Sequence, residues 1–203
     1  FNLTGKVAVI TGGAGMLGIE YARAILGSGG AVALFDIAKP SVLKARMSGL
    51  EREFPKRVIG ISVDVTNEKA IRRAVAAVLR RFRYIDILVN NAALTDFSGK
   101  HDRFSPYEKF STELFRREVD VSLTGSFIVT KAVMPHMMKR RSGVIVNIAS
   151  IYGAVGPDNR IYKKGKYRSP AYAAAKSGIY NLTRAFASYL APHGIRVNAL
   201  TIG

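Results

Sequence analysis

Six short runs rich in Val and Ile recur along the chain: "KVAVIT" (6–11), "AVALFD" (31–36), "VIGISVD" (58–64), "IDILVN" (85–90), "GVIVNIA" (143–149) and "IRVNALT" (195–201). Near-continuous apolar runs of this length read as strands buried on both faces. The segments between them have helical character. In "EKAIRRAVAAVLRRF" (68–82), Ile71, Val75, Val78, Leu79 and Phe82 share one face. Strand alternating with helix requires parallel strands joined by right-handed crossovers, which predicts a doubly wound α/β sheet in three layers, α/β/α. No repeat, low-complexity tract or linker divides the 203 residues, so a single domain is expected.

Irregular stretches fall at about 91–106 and 151–169, each just after a predicted strand. In an open parallel sheet the ligand sits beyond the carboxyl ends of the strands, so these two loops should flank the site. Composition narrows the chemistry. With no cysteine there is no disulfide, thiolate nucleophile or cysteine metal site. His101, His136 and His193 are scattered, which predicts surface or capping roles and no metal centre. No run approaches the roughly 18 apolar residues of a membrane span, and "FNLTGKVAVITGG" lacks a signal-peptide layout, so a soluble, cytoplasmic chain is expected. Thirty-one Lys+Arg against fourteen Asp+Glu give a formal charge of +17, a field that attracts anions without naming one. The clusters "RRFR" (80–83) and "KRR" (139–141) fall at predicted helix ends, where cations complement the helix dipole.

The first strand runs into "TGGAGMLG" (11–18), which holds Gly13-x-Gly15-x-x-Gly18 ahead of a helical segment. Glycines there let the backbone turn tightly and approach a pyrophosphate, whose charge is met by free N–H groups at the helix start. This is the signature of a Rossmann-type dinucleotide site. Gly12, Gly13, Gly15, Met16, Leu17 and Gly18 are the phosphate-side candidates. Asp36 ends the second strand eighteen residues beyond Gly18, near the ~20-residue spacing of a carboxylate that accepts from the adenosine ribose. A carboxylate repels a 2′-phosphate, and Ile37 follows where an Arg would serve NADP, so NAD is favoured over NADP.

Together with that loop, four further motifs stand in order: Asp64-Val65, "NNAA" (90–93), "NIAS" (147–150) and "YAAAK" (172–176). The set resembles the short-chain dehydrogenase/reductase family along the whole chain. The resemblance implies adenine contacts from Asp64 and Val65, cofactor contacts from Asn91, Ala92 and Ala93, and a catalytic set of Ser150, Tyr172 and Lys176. Tyr and Lys four apart on a helix share a face, so the ammonium can stabilise a phenolate. A phenol of ordinary pKa near 10 is a poor base at neutral pH without such help. Tyr172 would take the hydroxyl proton while hydride passes to nicotinamide, Ser150 would hold the substrate oxygen, and Lys176 would also bond the nicotinamide ribose. A second Tyr-x-x-x-Lys stands at Tyr162/Lys166, but its Lys-Lys-Gly interior and the Ser169-Pro170 that follows predict no stable helix. Tyr172 follows Ser169, a good N-cap, and Pro170, suited to the first helical position. Tyr172/Lys176 is therefore the expected pair.

The chain also departs from the family pattern. Ser122 in "DVSLTG" replaces the usual relay asparagine, and is expected to hold a water in its place; Met16 replaces a common glycine, and "LTIG" stands where Ser-Pro-Gly is usual. Family members continue with a substrate-covering helix and an edge strand beyond this point. The loop between Ser150 and Tyr172 is longer than usual and carries Arg160, Lys163, Lys164, Lys166 and Arg168, which read either as a cationic lid for a phosphate or nucleotide-linked sugar or as a solvated loop. "SIYG…IY…SPAYAAAKSG" also resembles bacterial members linked to surface-polysaccharide and flagellin sugar modification. The expected activity is NAD-dependent interconversion of a secondary alcohol and a ketone on a sugar-like, polyol or nucleotide-linked substrate, within carbohydrate metabolism. Two alternatives stay open: a 3-oxoacyl carrier-protein reductase, and a non-catalytic binding protein of the same fold. No basic recognition helix suggests specific nucleic-acid binding. The resemblance further implies a homodimer or homotetramer built on helices at about 107–140 and 170–190.

Overall fold

Strands form where the Val and Ile runs predict them, in a computed structural model that describes residues 1–94 and 103–203. They are β1 (Val7–Thr11), β2 (Ala31–Asp36), β3 (Val58–Ser62), β4 (Ile87–Asn90), β5 (Gly143–Ser150) and β6 (Ile195–Ile202). All five pairings are parallel, in the order β3-β2-β1-β4-β5-β6. The chain is a Rossmann-type doubly wound α/β sheet in three layers. Alternate residues of each strand serve opposite faces: Val7 and Val9 of β1 join one core, Ala8 and Ile10 the other.

The first core is covered by α3 (Glu68–Phe82), α5 (Gly125–Arg140) and α7 (Pro170–Leu190), the second by α1 (Met16–Gly27) and α2 (Pro40–Glu53). Helix α3 begins where Asn67 accepts from the Ala70 N–H, and buries Ile71, Val75 and Val78. The basic clusters close helices as expected, with Arg80 and Arg81 in the last turn of α3 and Lys139 and Arg140 in that of α5. Ser169 caps α7 by accepting from the Tyr172 N–H at 3.2 Å, with Pro170 in its first turn.

Two details differ from the sequence expectation. The helical span at about 107–140 is broken: α4 (Thr112–Val119) passes through one wide π turn, Asp120–Thr124, before α5. There the Ser126 hydroxyl donates to the Ser122 carbonyl at 2.7 Å, and Gly125 leaves no room for a Cβ against Val65. The loop after β5 is not wholly irregular, since it opens with the short α6 (Ile151–Ala154). The strand order reverses between β1 and β4, the point at which open α/β sheets take ligands beyond the carboxyl ends of their strands.

Candidate active site

The loop after β1 is shaped by glycines that no other residue can replace. Gly12 has φ +62°, in the left-handed region, and a Cβ on Gly18 would stand 2.3 Å from the Gly12 carbonyl oxygen. Helix α1 is thereby drawn against the loop. It starts at Gly15 with no side-chain cap and no acid in its first turn, and Met16 is 84 % exposed. An uncapped helix start without a carboxylate is a donor set that fits a pyrophosphate. Asp36 fixes this loop: its carboxylate accepts from the Ala14 and Ala38 N–H groups, each at 2.9 Å, and retains lone pairs for a ribose hydroxyl. Ile37 is exposed beside it. Arg46, not singled out from the sequence, donates to the Ala14 carbonyl at 2.9 Å and braces the loop from α2.

From the end of β4, the Asn91 amide donates to the carbonyls of Thr11 and Gly12, at 3.0 and 3.2 Å. The N–H groups of Asn91 and Ala92 both reach the Thr11 hydroxyl at 3.0 Å, and Ala93 follows on the same run. Asp64 binds the N–H and hydroxyl of Thr66, each at 2.8 Å, while Val65 is buried in the core. Of the two side chains from which the resemblance implies a nucleobase contact, Asp64 is therefore the one not packed into the core.

At the other end, β5 delivers Ser150 and α7 delivers Tyr172 and Lys176. Ser150 is buried; its oxygen accepts from the Tyr152 N–H at 3.3 Å, and among the described residues its hydroxyl donates to no partner. Lys176 is only 4 % exposed. Its Nζ donates to the Ile148 carbonyl at 2.5 Å and lies 5.8 Å from the centre of the Tyr172 ring. Burial disfavours the ammonium and lowers its pKa to about 8. Helix α6 packs tightly on this face, since a Cβ on Gly153 would stand 2.5 Å from the Lys176 carbonyl oxygen. Ser122 is buried in the π turn, and no hydrogen bond joins it to Ser150, Tyr172 or Lys176 among the described residues.

The competing tyrosine is placed differently. Residues 162–166 are not helical, so Tyr162 and Lys166 share no helix face. The Tyr162 hydroxyl bonds that of Tyr152 at 3.1 Å, and burial followed by this bond raises its pKa, the wrong direction for a base.

The five cations of the long loop separate into two groups. Arg160 forms a two-pronged contact with Asp158 on the surface, and Lys163, Lys164 and Lys166 are exposed. Arg168 instead lies over the Tyr172 ring, its guanidinium carbon 4.1 Å from the centroid, with the Tyr152 ring at 5.6 Å. Its backbone is pinned, the Arg168 N–H donating to Asn159 and the Tyr167 N–H to the Phe104 carbonyl, both at 2.9 Å.

A buried carboxylate here went unseen in the sequence. Glu118 of α4 receives Arg103 at 2.8 Å and the hydroxyl of Ser169, the residue that caps α7. His136 is exposed and His193 closes a short 3-10 turn, while His101 lies outside the described residues. Among the described residues no cluster of His, Cys, Asp or Glu has metal-binding character, and no helix is long and apolar enough to cross a membrane.

Residues 6–203 match the short chain dehydrogenase family, and the chain belongs to it. It is 34% identical over 198 residues to a cis-4-hydroxycyclohexanecarboxylate dehydrogenase of Sinomonas cyclohexanicum, covering 98% of this chain and 72% of that protein. It is 33% identical over 199 residues to an L-fucose dehydrogenase of Bos taurus, covering 98% and 66%. Among solved structures, an NAD+-bound xylitol dehydrogenase superposes with a TM-score of 0.87 at 32% identity, covering 99% of this chain and 71% of that one.

Proposed function

We propose that this chain is an NAD-dependent dehydrogenase that interconverts a secondary alcohol and a ketone on a hydroxylated small molecule of sugar, polyol or hydroxy-ring type. The observation that supports this best is that Lys176, one helical turn after Tyr172 on α7, sets its Nζ on the Ile148 carbonyl of β5, the strand that ends at Ser150. Bound there, a nicotinamide supplies the hydride acceptor or donor. The Ser150 hydroxyl donates to the substrate oxygen and fixes it near the Tyr172 phenol, which removes the hydroxyl proton in oxidation and returns it in reduction. Lys176, anchored on the Ile148 carbonyl, brings a cation to the Tyr172 side and a donor to the nicotinamide ribose. Asp36 accepts from the adenosine ribose and disfavours a 2′-phosphate. The relatives' named substrates, a hydroxycyclohexanecarboxylate, fucose and xylitol, all carry secondary hydroxyl groups and set the class of compound to try. The exposed Phe127 of α5 and the adjoining face of α7 form the surface through which a second copy pairs.

The test is reduced-cofactor formation on those three compounds with NAD and with NADP. Turnover with NAD at least about tenfold better than with NADP is expected, and Asp36→Ala should shrink that preference about 10- to 100-fold, the worth of a charge-assisted hydrogen bond. Equal use of both cofactors by the unaltered protein overturns the NAD assignment.

A further inference from the structure

Arg168 stands apart from every other cation of its loop. Its guanidinium lies against two aromatic rings, those of Tyr172 and Tyr152. Its Nε is buried without a partner, and among the described residues the guanidinium takes part in no hydrogen bond or ion pair. A buried N–H held in place but left unbonded is costly unless an acceptor completes it. Stacking on ring faces leaves the N–H edge of the guanidinium unused, the edge that matches the two oxygens of a carboxylate or phosphate. The loop backbone is tied at Tyr167 and Arg168, so the fork is held in place before any ligand arrives.

We propose that Arg168 is the substrate-recognition residue of this site and that it binds an oxyanion on the substrate, a carboxylate or phosphate, a few bonds from the carbinol carbon. The short span follows from geometry, because the guanidinium lies 4.1 Å from the ring whose hydroxyl meets the reacting oxygen. The assignment rests on the dehydrogenase reading above and gives its substrate a charge. It also narrows the cationic lid to one residue, leaving the exposed Lys163 and Lys164 as contributors to the general field.

The test uses two matched pairs of probes: 3-hydroxybutyrate with its methyl ester, and sorbitol 6-phosphate with sorbitol. Each is measured as kcat/KM with NAD and by calorimetric titration of the protein with NAD present. The expected result is a preference for one anionic member, carboxylate or phosphate, over its neutral partner, and a fall in that ratio of about 10- to 100-fold in Arg168→Gln. Arg168→Lys, which keeps the charge without the fork, should recover part of it. An unchanged ratio in Arg168→Gln, while Tyr172→Phe abolishes turnover, overturns the role of Arg168 and leaves the dehydrogenase intact. An equal fall in Lys163→Ala/Lys164→Ala overturns the narrowing to one residue. Absence of turnover on every probe counts against the dehydrogenase reading alone; titration then judges Arg168, and equal binding of charged and neutral members overturns it.

Discussion

Burying the Lys176 ammonium lowers its proton affinity to about pH 8, against an ordinary value of 10.5. The folded chain thus holds fewer protons than the unfolded chain between those two values. Stability must rise with pH across that window, by up to about 3 kcal/mol from this group, and the contribution is absent below it. Replacing Lys176 with Met should remove that rise. Urea unfolding of both proteins at about pH 7.5 and about pH 10 measures the difference in slope, and parallel slopes would contradict the assignment. Tolerating such a cost at one position fits a group kept for chemistry. At this scale the sequence was informative where local physics sufficed. Ser169-Pro170 marked the start of α7 and so selected Tyr172 over Tyr162, and the capping bond is present. Lys176 against Ile148, or Arg168 against Tyr172, depends on how α7 and its leading loop dock, which no local pattern encodes.

Among the elements, α6 and α7 approach each other closely beside Lys176. A methyl group at Gly153 would meet the Lys176 carbonyl and the Ser177 nitrogen at 2.5 and 2.9 Å, both backbone atoms. Gly153→Ala should therefore move the Lys176 turn and lower kcat about 10- to 100-fold, as small misplacements of reacting groups do. Gly156→Ala, where a Cβ meets nothing within 4 Å, should leave kcat unchanged. Equal rates for the two variants would show that the α6 contact does not position the site. Helix α3 was legible because its apolar face repeats at helical spacing up to a basic end; its Asn67 cap came from the structure. The π turn at Asp120–Thr124 was not, because it sits where Gly125 closes on Val65, a residue distant in the chain, as well as at the local bond from Ser126 to Ser122. The Arg103, Glu118 and Ser169 cluster was hidden for the same reason: its members belong to α4 and to two loops. Its compensated charge ties the cap of α7 to α4.

For the molecule as a whole, the sheet was the most legible feature, because strands buried on both faces announce themselves as apolar runs and alternation with helices leaves parallel crossovers as the solution. The strand order sets the carboxyl ends of β1, β4 and β5 side by side, and with them the glycine loop, Asn91 and Ser150, so motifs far apart in sequence come to one edge of the sheet. The +17 charge was equally plain but names no partner. The carboxylates of Asp86 and Glu118 are engaged by Arg140 and Arg103, and a net positive field of this size attracts anions at long range. In the proposed reaction Tyr172 is the proton-transfer group of a nicotinamide-dependent dehydrogenase. The decisive comparison is Tyr172→Phe with Tyr162→Phe in reduced-cofactor formation on a substrate that the unaltered protein turns over. Loss of about 100- to 10,000-fold in Tyr172→Phe, with Tyr162→Phe retaining most activity, is the predicted result; full activity in Tyr172→Phe, or the larger loss in Tyr162→Phe, would contradict it.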